Sequence, residues 1–72
     1  MKRYFEYKDE VSNKFWEISL KGSQVNLRYG RIGIKSPATI EKKFIGKSAN
    51  KDAIKFAEKK INEKLRKGYL EI

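Results

Sequence analysis

The chain has 72 residues, with 18 Lys and Arg against nine Asp and Glu, no histidine, no cysteine and a net charge of +9. A chain of this length makes one small domain with a thin core, since it buries only about 60% of the surface its unfolded form exposes. The composition excludes disulfides, thiolate or imidazole metal sites, and the histidine and cysteine chemistry behind most general-base and nucleophilic catalysis.

Lys2 to Lys8 reads as a first strand, with Tyr4 and Glu6 on one side and Phe5 and Tyr7 on the other. Met1 to Asn13 lacks the apolar core of a signal peptide, because charged residues separate Phe5 from Val11. No apolar run approaches the roughly 20 residues that span a bilayer, so a soluble, cytoplasmic protein is expected. The polar stretch Lys8 to Asn13 turns the chain. Lys14 to Lys21 then alternates: Trp16, Ile18 and Leu20 share one face, and Phe15, Glu17 and Ser19 the other. Lys21-Gly22-Ser23 is a hairpin turn, with Gly22 supplying the positive φ such turns require. Gln24 to Ile32 continues the pattern, with Val25, Leu27 and Tyr29 on one face.

Gly33 to Ala38 is a loop holding the only proline, Pro37. Thr39 to Ile45 is a weaker strand, expected to be anchored by Ile40 and Phe44. Asn50 is the expected N-cap of a helix, with Asp52 in its first turn facing the positive end of the helix dipole. From Lys51 to Lys67, the residues Ala53, Ile54, Ala57, Ile61 and Leu65 recur at helical spacing and form an apolar stripe. Gly68 is the expected C′ residue, and the tail Tyr69-Leu70-Glu71-Ile72 is expected to dock back on the sheet. The economical architecture is α+β: a small antiparallel sheet of about four to five strands packed against one C-terminal helix, residues 1–72 making a single domain. Trp16, in alternation with Ile18 and Leu20, belongs to its core.

Positive charge is unevenly spread. No acid lies between Glu17 and Glu41, while Lys21, Arg28, Arg31 and Lys35 fall inside that window. An excess of this kind attracts polyanions and releases their counterions, which points to nucleic acid or another anionic surface. The plainer reading is a surface charged for solubility. The helix carries seven Lys and Arg against Asp52, Glu58 and Glu63. Glu58 with Lys55, and Glu63 with Lys59, read as ordinary helix-surface pairs on a solvated face. Its apolar stripe is needed for the core and lacks large aromatics at the polar boundary, which argues against a membrane surface.

Phe15-Trp16-Glu17, the glycine turn, Val25, Tyr29-Gly30-Arg31-Ile32-Gly33, then Lys43-Phe44 and a capped lysine-rich helix follow one another in an order that resembles the WGR domain. The resemblance runs from about Phe15 to Tyr69 and is to a stand-alone bacterial-type member. Tyr29 stands where the family most often has tryptophan, as it often does in bacterial members. The resemblance implies a one-helix α+β fold and a nucleic-acid-binding role. In poly(ADP-ribose) polymerases such domains bind near the 5′ end of broken DNA and relay contact to neighbouring domains. Others occur in bacterial proteins similar to the molybdate metabolism regulator.

The candidate nucleic-acid-binding residues are Tyr29, Arg31, Arg28, Lys35 and Lys43, with Gly30, Gly33 and Trp16 as the structural part of the motif. Tyr29 and Arg31 are two apart on one strand and share a face at roughly 7 Å. Arg31 can hold a phosphate bidentately and Tyr29 can stack on a sugar or base. By alternation with Val25 and Leu27, Tyr29 reads equally as core, unless a twist at Gly30 brings the pair to the rim. The resemblance gives Arg31 a second role, contact with a protein partner. Arg28 lies on the opposite face, as a solvated charge or a second backbone contact. Lys35 sits in a flexible loop, and of Lys42 and Lys43 at most one joins any given patch.

Asp9-Glu10 is a turn pair whose carboxylates diverge, and the glycines fit no phosphate-loop spacing. The sequence therefore predicts no enzyme, no cofactor, no metal and no small-molecule substrate. It predicts a nucleic-acid-binding module, DNA favoured, with preference for ends or breaks. The alternative is an adaptor that meets an acidic protein.

Overall fold

The computed structural model describes residues 1–72 as five strands and one helix. The strands are β1 (Lys2–Lys8), β2 (Asn13–Lys21), β3 (Gln24–Arg31), β4 (Ala38–Lys43) and β5 (Leu70–Glu71), and the helix α1 (Ala49–Arg66) lies between β4 and β5. They form one antiparallel sheet in the order β4-β3-β2-β1-β5. The chain thus runs as a meander from β1 to β4, crosses one face of the sheet as α1, and pairs its tail with β1 at the far edge. The α+β expectation, with one C-terminal helix, holds.

Turn chemistry sets the register. Gly22, at φ +61°, and Ser23 make a two-residue turn that pairs Lys21 with Gln24. Counting back from it places Ile18 opposite Leu27, Trp16 opposite Tyr29 and Lys14 opposite Arg31. Because side chains alternate, all of these point to the helix side, while Phe15, Glu17 and Ser19 point to the open side.

The core lies between α1 and the sheet. Phe5, Trp16, Ile18, Val25 and Leu27 meet Ala53, Ala57 and Ile61, and Tyr69 closes one end. The alanines let the helix backbone approach the sheet, and the result is a slab with extents of 45 × 26 × 15 Å. Burying each large apolar side chain contributes about 1.5–3 kcal/mol. Trp16 is 3% exposed, as the alternation requires.

Several local expectations are corrected. Helix α1 begins at Ala49 with Ser48 in the N-cap position, so Asn50 is inside the first turn rather than capping it. Ile54 and Leu65 flank the buried stripe and stay half exposed, while Phe56 packs on Phe44 at a ring distance of 5.6 Å. Strand β4 stops at Lys43, and Ile40 is 47% exposed, because β4 is an edge strand beyond the reach of α1. The helix ion pair is Lys60–Glu63 at 3.6 Å, in place of the Glu58–Lys55 and Glu63–Lys59 pairs expected.

The C-terminus of α1 follows expectation closely. Gly68, at φ +99°, donates its N–H to the Leu65 carbonyl, and Tyr69 donates to the Lys64 carbonyl. This is the Schellman arrangement, in which the last carbonyls find donors after the helix ends. It aims Tyr69 back at the sheet, where its ring lies 5.5 Å from that of Tyr7. The tail then forms β5, and Arg3 holds Glu71 through bonds of 2.8 and 2.6 Å.

Candidate nucleic-acid interface

Gly30 decides the shape of the β3 end. Its φ is +155°, and a Cβ built there would lie 3.2 Å from Ile34 Cγ2 and 3.9 Å from Phe15 Cε1. A side chain there would be strained at this φ and would have to push Ile34 aside by a few tenths of an ångström, in the loop that folds over the open face, where Ile32, Ile34 and Pro37 gather round Phe15 and Tyr4. Phe15 is 5% exposed there, with Tyr4 stacked on it at 5.8 Å and the Arg28 guanidinium 5.4 Å from its ring.

On the helix side, the same strand end forms one wall of a groove of about 320 Å³. Tyr29 and Arg31 come from β3, Lys14 and Trp16 from β2, Lys64 from the last turns of α1, and Tyr69 from beyond its cap. Tyr29 shares the face of Val25 and Leu27, yet it is 38% exposed because the core ends at Trp16 and Leu27. The core and ligand-facing readings of Tyr29 are therefore both partly right: its position is on the core face and its ring lines an open groove. Arg31 is exposed and makes no ion pair.

Two lysines absent from the sequence-based candidates stand beside this pair. Lys14 Nζ lies 5.1 Å from the Tyr7 ring centroid and 5.9 Å from that of Tyr69. Lys64 Nζ lies 5.1 Å from the Tyr69 ring and 5.6 Å from that of Trp16. Partial burial pushes the Lys64 ammonium below its usual value, helped by repulsion from Lys67, Lys14 and Lys60. The pairing of Lys14 with Arg31 follows from the turn register and the return of Tyr69 from the Gly68 cap; the arrival of Lys64 needs the helix packing and has no local sequence signal.

The remaining candidates lie elsewhere. Arg28 is on the open face, stacked on Phe15 and 3.5 Å from Glu17 Oε1, so it does not join Tyr29 and Arg31. Lys43 pairs with Gln24 and is on that same open face, on the exposed edge strand. Lys35 is exposed in the loop between β3 and β4. Gly33, at φ +91°, turns that loop with open space around it.

The acidic turn lies on the other flank of Arg31, in a cleft lined by Asp9 to Asn13, Arg31 and Ile32. Asp9 accepts hydrogen bonds from the Val11 N–H at 2.9 Å, the Tyr7 hydroxyl at 2.9 Å and the Ser12 N–H at 2.6 Å. The Val11 bond is the main reason its carboxyl sits below the usual range, with the Tyr7 and Ser12 bonds adding to it. Asp9 is thus a turn residue. No group of three or more acids, histidines or cysteines is placed to hold a metal ion, and no helix is long and apolar enough to cross a membrane.

A β-meander crossed by a single helix, with Tyr29-Gly30-Arg31 closing its third strand, defines a small α+β binding domain. The match to the WGR domain covers residues 1–72, and the chain belongs to that family. The match thus extends the resemblance over β1 and β5. WGR domains are associated in general with nucleic-acid binding.

The chain is 38% identical over 77 aligned positions to the uncharacterized protein YfeS of Escherichia coli (strain K12), covering 99% of this chain and 28% of that protein. It is 38% identical over 69 positions to protein YehF of the same organism, covering 96% of this chain and 24% of that one. A crystal structure of a Bacteroides fragilis protein superposes with a TM-score of 0.90 at 42% identity, over 100% of this chain and 19% of that one. The chain therefore spans about a quarter of the curated relatives it matches.

Proposed function

We propose that this WGR domain is a DNA-binding module, acting in the cytoplasm, that holds an end or break at the groove bounded by Tyr29 and Arg31. The observation that carries the reading is an exposed guanidinium without a carboxylate partner beside a partly exposed aromatic ring on the same strand face. Arg31 gives the bidentate donor fork that suits a phosphate, and Tyr29 the flat surface that suits a sugar or an unstacked base. The sequence brings no histidine or cysteine to the groove, which favours binding over catalysis.

Titration of labelled linear, nicked, closed circular and single-stranded DNA at two salt concentrations tests the reading. Binding at or tighter than about 10–100 µM that weakens as salt rises is expected, with preference for substrates that have an end. Salt-insensitive binding, or none in that range, rejects it. An acidic protein that reaches Arg31 is the second reading, and exposure of that side chain supports it too. Capture from nuclease-treated lysate separates the two, because a protein partner survives nuclease and a DNA-bridged one does not.

A further inference from the structure

The groove gathers positive charge that no carboxylate meets at ion-pair distance. Lys14 and Arg31 face each other directly across β2 and β3, on the helix side. Like charges placed directly opposite destabilise an antiparallel pair. Lys64 joins them from α1, and none of the three takes part in the ion pairs of the molecule. Four of those five pairs place a cation beside a strand carboxylate elsewhere on the sheet: Lys2 and Arg28 at Glu17, Lys8 at Glu6, and Arg3 at Glu71.

The ammonium groups of Lys14 and Lys64 are held by rings. Tyr7, Lys14, Tyr69, Lys64 and Trp16 alternate as ring, cation, ring, cation, ring, with every contact between 5.1 and 5.9 Å. The Tyr69 ring serves both cations. Cation–π contacts of this length attract without neutralising, so the charge remains available to a ligand. They also restrict side chains that would otherwise lose much rotamer freedom on binding.

We propose that Lys14 and Lys64 form a two-pronged phosphate clamp in which a phosphate of a nucleic-acid strand supplies the counter-ion the fold leaves out. The inference rests on the DNA reading for the identity of the polyanion. It adds a binding element from β2 and α1 that the Tyr29-Gly30-Arg31 motif does not contain. Either a phosphate or a carboxylate has two oxygens to accept from both prongs, and a phosphate ester fits better because the sugar or base attached to it gives the Tyr29 ring of the same groove a surface to stack on. Bound phosphate also offsets the repulsion from Lys67, Lys14 and Lys60 that adds to burial in lowering the Lys64 ammonium.

Trp16 is the only tryptophan, and Lys64 Nζ lies 5.6 Å from its ring, so its emission reports on the clamp. Inorganic tripolyphosphate is titrated into the wild type, a Lys14→Gln/Lys64→Gln double variant, and a Lys2→Gln/Lys21→Gln control whose substitutions lie away from the groove. A saturable change in emission is expected for the wild type and the control and is absent from the groove variant. In a salt series with a 20-base-pair duplex, the log–log slope falls by about 1 in the groove variant, at roughly 0.9 for the one phosphate that the clamp holds. Lys14→Gln alone, at an exposed site, replaces the double variant if that fails to fold; it is expected to weaken tripolyphosphate binding, and wild-type affinity in it overturns the clamp.

Wild-type emission that ignores tripolyphosphate, or a groove variant with the wild-type salt slope, overturns the clamp. Duplex binding with an unchanged slope in the variant sinks the clamp and leaves the DNA reading intact. Tripolyphosphate binding without duplex binding does the reverse.

Discussion

On the open face of the sheet, Arg28 stacks on Phe15 and reaches Glu17, and Lys2 reaches the same carboxylate from the neighbouring strand. At the groove, Lys14 and Lys64 also rest on aromatic rings but reach no carboxylate. The two regions use the same residue types. They differ in whether an acid completes the set, and that difference separates charge used to close a surface from charge left available to a ligand. Counting Lys and Arg along the sequence cannot make this distinction, because it depends on which acids arrive across the strands.

The sharpest way to break the comparison is to remove the support of the open face. Phe15→Ala is expected to lower stability by about 3–5 kcal/mol, read from denaturant midpoints. A loss below about 1 kcal/mol would show that the open face is not a packed region at all. Gly30→Ala comes next, at about 1–3 kcal/mol, because alanine is strained at that backbone angle and its Cβ must displace Ile34. Its thermal unfolding midpoint should fall, while Gly33→Ala, with the strain but open space around it, should fall less.

Binding sharpens the contrast. Arg31→Ala is expected to weaken duplex affinity about tenfold, since one charge-assisted contact contributes roughly 1.5 kcal/mol. Arg28→Ala, with its charge already facing Glu17, should change affinity by less than about twofold. Equal losses in a side-by-side anisotropy titration would erase the distinction between the two faces. Tyr29→Ala should reduce the preference for an end over closed circular duplex, and an equal loss on both substrates would count against stacking.

The smallest effects are in the pH dependence of stability. Lys64 has a lower proton affinity in the folded chain than in the unfolded one, so the unfolded state holds more protons in the alkaline window between the two values. Stability therefore rises as pH climbs through that window, and Lys64→Gln should flatten the rise. Asp9 has the opposite placement on the scale. Its carboxyl is held low, so its contribution is present above the unfolded value and disappears as pH falls through the folded one. Asp9→Asn should remove that part of the acid limb in a series of thermal melts.

Strands β1 to β3 were legible because their side chains alternate and a glycine turn fixes where the alternation folds back. The strand-end motif was legible for the same reason, down to Tyr29 and Arg31 sharing a face. Edge strand β4 was read too long and Ile40 too deep, since periodicity marks a face without saying whether anything covers it. Capping propensity points to Asn50, but the helix starts two residues earlier behind Ser48, whose side chain makes no capping hydrogen bond, so cap chemistry does not set this end. Alternation already puts Arg28 on the face opposite Tyr29, as the structure has it, whereas the side taken by Lys43 depends on the register of β4 against β3. The return of Tyr69 to the sheet is legible from the Gly68 cap, but Lys64 is beyond reach, because only the path of α1 across the sheet brings it to the end of β2.

Tyr69 follows directly on Gly68, so the residue that terminates the helix also delivers a ring to the groove. The cap and packing on Tyr7 seat that ring, and two residues of β5 with one guanidinium–carboxylate pair fasten the chain just beyond it. Peeling this short strand from β1 would leave the ring shared by both lysines held from one side only. The grip on a ligand is in this way mechanically tied to the far edge of the molecule.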